Sequence, residues 1–383
     1  MTALHIPIAR PSLGEDEAAA AREAILSGWV TQGPQVAAFE GEFAALVGAP
    51  HACAVANCTV ALHLALLAVG VRPGDEVITV SHSFVATANA VRYCGGVPVF
   101  VDIEADGYNL DPERLAEAVT PRTRAILAVH QMGMPCDLAR IVAFARARGL
   151  ALVEDAACAI GSEWRAPSDA FQPIGRPVGD IACFSFHPRK VLTTGDGGML
   201  TTANPAFDRQ FRLLRQHSMG TSDAVRHAAP QPIFETYDQI GYNYRLTDIQ
   251  AAVGRVQLKR LPALLQRRRT LAELYCAALA GIAGLGLPIQ PDWARSNWQS
   301  YCVRLPDGVD QRTAMQALLD RGIASRRGIM CAHRERAYAD LPLRHPLPRS
   351  ELAQDRCILL PLYPDMPDEA VARVADALKS ALA

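Results

Sequence analysis

Short apolar runs alternate with helical patterns through most of the chain. After an extended start with Pro7 and Pro11, Gly14-Glu-Asp-Glu opens an Ala-rich helical pattern that lasts to Leu26. From His51 onward, strand-length apolar runs cover 51–56, 76–80, 97–103, 124–129 and 150–154, followed by Ala182–Phe186 and Met199–Thr202. Helices stand between them. One, Val60–Val69, is apolar nearly all round, and another starts at Asp111-Pro112, an N-cap followed by a first-turn proline, and runs through Val119. Strands alternating with helices predict an α/β fold with a mainly parallel sheet covered on both faces.

Beyond Leu214 the pattern changes. Residues 217–239 have no periodicity and read as a loop; Gly241-Tyr-Asn-Tyr-Arg-Leu-Thr-Asp248 then leads into a helix with Ile249, Val253 and Val256 on one face. Pro262 predicts a change of helix, with a second one over Ala263–Leu279. From about Pro288 a smaller α+β unit is expected: a strand at Ser300–Leu305, a helix at Arg312–Arg321, and a closing helix with Val371, Val374, Leu378 and Leu382 on one face. A Pro- and Arg-rich stretch, Arg326–Arg349, lies between those helices. With 383 residues the chain has room for about two domains at ~100–200 residues each. We expect a large domain with an N-terminal arm over 1–260 and a small C-terminal domain over 261–383.

Composition narrows the function classes. Half of the residues are hydrophobic, a fifth are charged and the net charge is −1, so neither disorder nor electrostatic attraction to nucleic acid is supported. The longest apolar stretch, near Ala61–Val71, contains His63 and is too short to span a bilayer. The N-terminus lacks a basic segment followed by a long apolar one, which points to the cytoplasm. Without a secretion signal, the glycosylation pattern Asn57-Cys58-Thr59 carries no weight. Ten cysteines are scattered with no Cys-x-x-Cys pair, and there is no His-Glu-x-x-His, so neither a metal site nor a disulfide framework is expected.

In a parallel sheet, ligands bind beyond the carboxyl ends of the strands. The residues there are Asn57, Cys58 and Thr59; Ser81, His82, Ser83 and Phe84; His130; Glu154, Asp155 and Cys158; and Ser185 and Lys190. Lys190 stands between an apolar run and the glycines Gly195, Gly197 and Gly198, with Ser185, His187 and Arg189 within five residues. Neighbouring positive charge and desolvation are expected to favour its neutral amine, the nucleophile that forms a Schiff base with an aldehyde such as pyridoxal 5′-phosphate (PLP). A lone lysine is more often a solvated one, and Asp155, Phe84, Thr59 and Ser185 each have an ordinary reading as cap, core or strand hydroxyl. Their shared place at strand ends favours one ligand. Asp155 would pair with a pyridine nitrogen, Phe84 would stack on the ring, and Thr59, at a helix N-terminus, would hold a phosphate with Ser185. The loop 27–34, with Trp29, is either a pocket wall or a turn between helices. The missing Gly-x-Gly-x-x-Gly and P-loop patterns argue against a nucleotide-binding protein without PLP.

Seven segments, in order, resemble the DegT/StrS-type PLP-dependent sugar aminotransferases, of fold type I in the aspartate aminotransferase superfamily. They are Gly28-Trp-Val-Thr-Gln-Gly-Pro, Asn57-Cys-Thr-Val-Ala-Leu, Phe84-Val-Ala-Thr-Ala-Asn-Ala, Glu154-Asp-Ala-Ala-Cys-Ala-Ile-Gly, Phe184-Ser-Phe-His-Pro-Arg-Lys, Gly195-Asp-Gly-Gly and Gly241-Tyr-Asn-Tyr-Arg-Leu-Thr-Asp-Ile-Gln-Ala-Ala. The resemblance implies that Lys190 carries the cofactor, with Asp155, Phe84, Thr59 and Ser185 in the roles above, the backbone at Cys58 in the phosphate cradle and His187 beside the reactive centre. It also implies a homodimer with shared active sites, Asn243 reaching the phosphate from the neighbouring subunit. Three residues depart from the family pattern: Cys58 replaces Gly, Asp196 replaces Glu, and Cys158 replaces a Gln near the cofactor's ring hydroxyl, removing that amide. The run Trp164–Val178 is longer than the usual loop and is expected to alter the substrate pocket.

The implied reaction moves an amino group from L-glutamate, or glutamine, to a keto-sugar linked to a nucleotide. Cyclitol or other non-nucleotide ketones are the alternative acceptors. Dehydratase relatives have histidine at the lysine position, and the intact set Asp155, Ser185, Lys190 and Asn243 argues against a regulatory protein without turnover. Arg326, Arg327, Arg334 and Arg336 are candidates to grip a diphosphate, although an Arg-rich loop is more often solvated surface.

Overall fold

The computed structural model describes residues 5–167, 169–220, 229–232 and 234–382. Its central sheet contains β1 (His51–Val55), β2 (Glu76–Val80), β3 (Val97–Val101), β4 (Thr123–Val129), β5 (Ala151–Asp155), β8 (Ile181–Ser185) and β9 (Gly198–Thr202), in the spatial order β1-β9-β8-β5-β4-β2-β3. Neighbours are parallel except at β9, which runs against both β1 and β8. Every residue of β2, β8 and β9 is buried, as expected of strands covered on both faces. One face packs on Phe39, Phe43 and Phe186; the other packs on Leu62, Leu64 and Phe211.

Two expected elements differ. Asp111 does cap, accepting a bond from the Glu113 N–H, but a 3₁₀ turn (Pro112–Arg114) precedes a single α-turn (Leu115–Ala118), so no continuous helix reaches Val119. Conversely, Pro262 does not divide its helix, which runs unbroken from Asp248 to Leu279. Proline removes one backbone donor. Packing on both sides of it outweighs that loss: Leu258, Leu261 and Leu264 sit in the core beneath the large sheet, and Leu271, Tyr275 and Leu279 sit in a second core.

The helix start also explains the Trp29 loop. The Asp248 carboxylate accepts N–H bonds from Gly33, Gln35 and Val36 at 2.7, 3.0 and 2.9 Å, capping the helix Pro34–Val47 from afar. The Trp29 indole N–H bonds the carbonyl of Gln32, so the loop is the turn between helices and does not line the main cavity.

β6 (Glu163–Trp164), β7 (Gln172–Pro173) and β10 (Ala294–Arg295) form a small antiparallel side sheet. A third sheet, β11 (Tyr301–Arg304), β13 (Cys357–Leu360) and β12 (Arg326–Arg327), carries the helices Gln311–Asp320 and Asp368–Leu382. Val371, Val374 and Leu378 are buried in the second core, and Ile6 of the N-terminal arm joins them beside Ile323. Among the described residues, no helix is long and apolar enough to cross a membrane. Of residues 217–239, 221–228 and 233 lie outside the described residues; the rest contain no helix or strand, only the bridge Met219–Tyr237.

Candidate active site

Five strand ends open into one cavity of about 630 Å³. β1 delivers Asn57, Cys58 and Thr59; β2 delivers Ser83 and Phe84; β4 delivers His130; β5 delivers Asp155 and Cys158; β8 delivers Ser185, His187, Arg189 and Lys190. Not every strand-end residue arrives. His82 is fully buried beside the Tyr108 ring, where desolvation pushes its pKa down to about 3. Ser81 is bonded to His333, and Glu154 accepts a bond from His130 at 3.1 Å. Because His130 Nδ1 accepts the Cys136 N–H, the proton facing Glu154 is on Nε2.

The helix Cys58–Ala68 points its N-terminus at this cavity, capped by the Asn57 side chain, which accepts the Val60 N–H at 3.1 Å. Gly198 sets its position. A Cβ there would lie 2.5 Å from the Asn57 carbonyl carbon and 2.8 Å from the Cys58 nitrogen. The last two glycines of Gly195-Asp-Gly-Gly thus include one whose hydrogen lets the anion-binding backbone close on β9. Gly198→Ala is expected to lose about 1–3 kcal/mol of stability and to weaken cofactor retention, measured by the thermal midpoint and by cofactor titration.

Asp155 is buried, and both of its oxygens are held. Oδ2 accepts the Thr87 hydroxyl at 2.8 Å and Oδ1 the Ala157 N–H at 3.1 Å; Thr87 in turn meets Ser83 at 2.7 Å. Phe84, by contrast, is 63% exposed, its ring open to the cavity. The Ser185 hydroxyl accepts the His187 N–H at 3.4 Å.

Lys190 corrects the expected electrostatics. Its Nζ donates to the Cys158 sulfur at 3.1 Å. Burial disfavours the ammonium, but Cys158, Cys58 and Asp155 together outweigh it and raise the pKa above the ordinary lysine value. The adjacent Arg189 was expected to favour the neutral amine, yet it is not among the main groups acting on Lys190. Arg189 instead acts on His187, which burial, Arg189 and Lys190 hold below the usual histidine range. Its Nδ1 accepts the Arg189 N–H at 3.2 Å, leaving the proton on Nε2.

Several supporting residues carry no local sequence signal. Gln299 donates to the Arg189 carbonyl at 2.6 Å and accepts the Val191 N–H at 3.0 Å, clamping the backbone on either side of Lys190. Asn297 donates to the carbonyls of Cys158 and Ile160, both at 2.8 Å. Both lie over a hundred residues from the turns they hold. Asn243 is exposed and outside the cavity lining: its neighbours Tyr242 and Tyr244 turn inward and stack at 4.8 Å, so the extended backbone directs Asn243 away. No described residue of 164–178 lines the cavity, because that run is taken up by the side sheet.

The donor set fits PLP: a lysine, a buried carboxylate, an exposed aromatic face, and hydroxyls beside a helix N-terminus surround one cavity. The DegT/DnrJ/EryC1/StrS aminotransferase family model matches residues 11–379. The chain belongs to this family. Among solved structures, the aminotransferase TlmJ from Streptoalloteichus hindustanus is 34% identical over 98% of both chains, with a TM-score of 0.90. Spr1654 from Streptococcus pneumoniae, in its PMP form, is 29% identical over 98% of this chain and 99% of its own, with a TM-score of 0.91. DesI, solved in the presence of its TDP-sugar product, is 30% identical over 99% of this chain and 93% of its own, with a TM-score of 0.87. The DegT-family chain is accordingly a PLP-dependent sugar aminotransferase of fold type I.

Proposed function

We propose that this aminotransferase moves an amino group from L-glutamate, or glutamine, to a keto-sugar carried on a nucleoside diphosphate. The convergence of Lys190, Asp155, Ser185 and Thr59 on one cavity supports the reaction, and DesI with its TDP-sugar product supports the acceptor class. Bound PLP supplies an aldehyde that takes up the amino group and a ring that takes up electrons from the substrate's C–H bond. Asp155 holds the pyridine nitrogen protonated, and Phe84 covers one ring face. Thr59, Ser185 and the backbone at Cys58 hold the phosphate. Lys190 anchors the cofactor and, once released, carries the proton to and from the reacting carbon. Cys158 keeps the lysine amine in place where the family's usual Gln would meet the ring hydroxyl, and His187 donates from Nε2 at the cavity wall. Our proposed division into a large domain, 1–260, and a small one, 261–383, falls within the helix Asp248–Leu279. The cytoplasm suits a chain in which all ten cysteines are unpaired.

A panel of keto-sugar nucleotides and cyclitol ketones, offered to the aminated enzyme, tests the acceptor. Turnover of a nucleotide-linked ketone is expected; turnover of cyclitol ketones alone overturns the reading.

We further propose a homodimer in which Asn243 serves the partner's phosphate site. Its exposure and its absence from its own cavity support this. Losing an amide bond to a charged phosphate should cost about 1.5–3 kcal/mol, roughly tenfold or more in cofactor affinity. Mixing inactive Lys190→Ala protein with a severely impaired Asn243 variant should partly restore activity, since one site of each mixed dimer escapes both defects. Verified mixed dimers that stay inactive would place both residues in the same subunit's site.

A further inference from the structure

Two arginines at the cavity lack the carboxylate partners that their neighbours have. In the Arg-rich stretch, Arg327 pairs with Glu335 at 3.4 Å, and Arg334 pairs with Asp355 at 2.6 Å and Glu351 at 3.5 Å. Those two are neutralised at the surface and do not line the cavity. Arg326 does line it, as does Arg189, and neither guanidinium has an ion-pair partner among the described residues.

Local structure accounts for the selection. Arg326 and Arg327 form the edge strand β12, paired with Leu359 and Ile358 of β13, and adjacent strand residues face opposite ways. Arg326 therefore shares the cavity side with Leu359, while Arg327 turns toward Glu335. Arg189 arrives from the other wall on a turn that is already fixed. Its carbonyl accepts from Gln299, and its N–H donates to His187. The two cations line the same cavity, and burial together with Arg326 holds the Arg189 guanidinium below its usual range. Like charges placed together without a counter-ion are repulsive, and an anion between them relieves that repulsion. Guanidinium forks match the paired oxygens of phosphate groups, and two forks match a dianion.

We propose that Arg189 and Arg326 form an anion subsite at the cavity that grips the diphosphate of the nucleotide-linked acceptor. This rests on the nucleotide-linked reading above. The same forks would also suit a carboxylate of the amino donor, so the test has an arm for each.

Arg326→Gln is the primary variant because the side chain is exposed and distant in sequence from Lys190; Arg189→Gln is the second. In PLP-loaded protein, TDP and UDP binding would be measured by calorimetry, and the donor half-reaction by the change in cofactor absorbance with L-glutamate. Arg326→Gln is expected to retain wild-type cofactor absorbance and donor kinetics, and both variants are expected to bind the nucleoside diphosphates roughly 10- to 100-fold more weakly. Wild-type affinity should fall with added salt, and less steeply in the variants. Weakened donor kinetics with unchanged TDP and UDP binding would assign the arginines to the donor carboxylate and overturn the proposal. Wild-type protein that binds neither nucleotide would overturn the nucleotide-linked reading itself. Wild-type binding that both variants preserve would overturn only the arginine assignment.

Discussion

Lys190→Ala protein is expected to lose transamination by roughly 10⁴-fold or more, because one side chain is both the covalent anchor and the proton carrier. The wild-type protein should be yellow, and borohydride should remove its near-visible absorbance and fix the cofactor on a peptide. The chain has three lysines, Lys190, Lys259 and Lys379, which makes the mapping decisive. Lys259 and Lys379 are exposed on helices, whereas Lys190 alone lines the cavity, 3.1 Å from Cys158. Reduced cofactor on Lys259 or Lys379 would refute the assignment. The raised pKa adds a sign. Loading of the cofactor-free protein needs the neutral amine, so its rate should climb with pH through the ordinary lysine range and beyond. A loading rate that levels off near neutral pH would show that the amine is already neutral there.

Asp155→Ala is the other large effect. The variant should keep some PLP through Lys190 and the phosphate cradle but lose turnover by about two to three orders of magnitude, since an unpaired pyridine nitrogen makes the ring a poorer electron sink. The mutation also strips an acceptor from the Thr87 hydroxyl and the Ala157 N–H, and Asp155→Asn separates the two causes. An amide still accepts the Thr87 bond but carries no charge. If the charge matters, Asn should be nearly as inactive as Ala in single-turnover measurements. Near-native turnover of Asp155→Asn would leave Asp155 with a packing role only.

Strand ends were the most legible feature of the site. Asn57, Phe84, Asp155, Ser185 and Lys190 follow from where apolar runs stop, because a strand covered on both faces is mostly apolar and polar residues gather at its exit. His82 and Ser81 also follow β2 but are turned into the protein by contacts with Tyr108 and His333. Pro262 misled for a related reason. Local preference breaks a helix there, while packing holds it together: Leu258, Leu261 and Leu264 flank the proline in one core, and Leu271, Tyr275 and Leu279 anchor the far end in another.

What the sequence determined by itself was therefore whatever is local: the alternation of strand and helix, the helix N-terminus at Thr59, the glycine turn after Lys190, and the motif order that resembles the aminotransferase family. Pairing was decided only in three dimensions. Asp248 caps a helix that starts over 200 residues earlier, Gln299 clamps the turn at Lys190, Cys158 rather than Arg189 meets the lysine amine, and among the described residues Arg326 is left without an ion pair while Arg327 is not. Each outcome depends on which charge or hydrogen-bonding group the folded chain brings within about 3–4 Å, and spacing along the sequence carries no record of that distance.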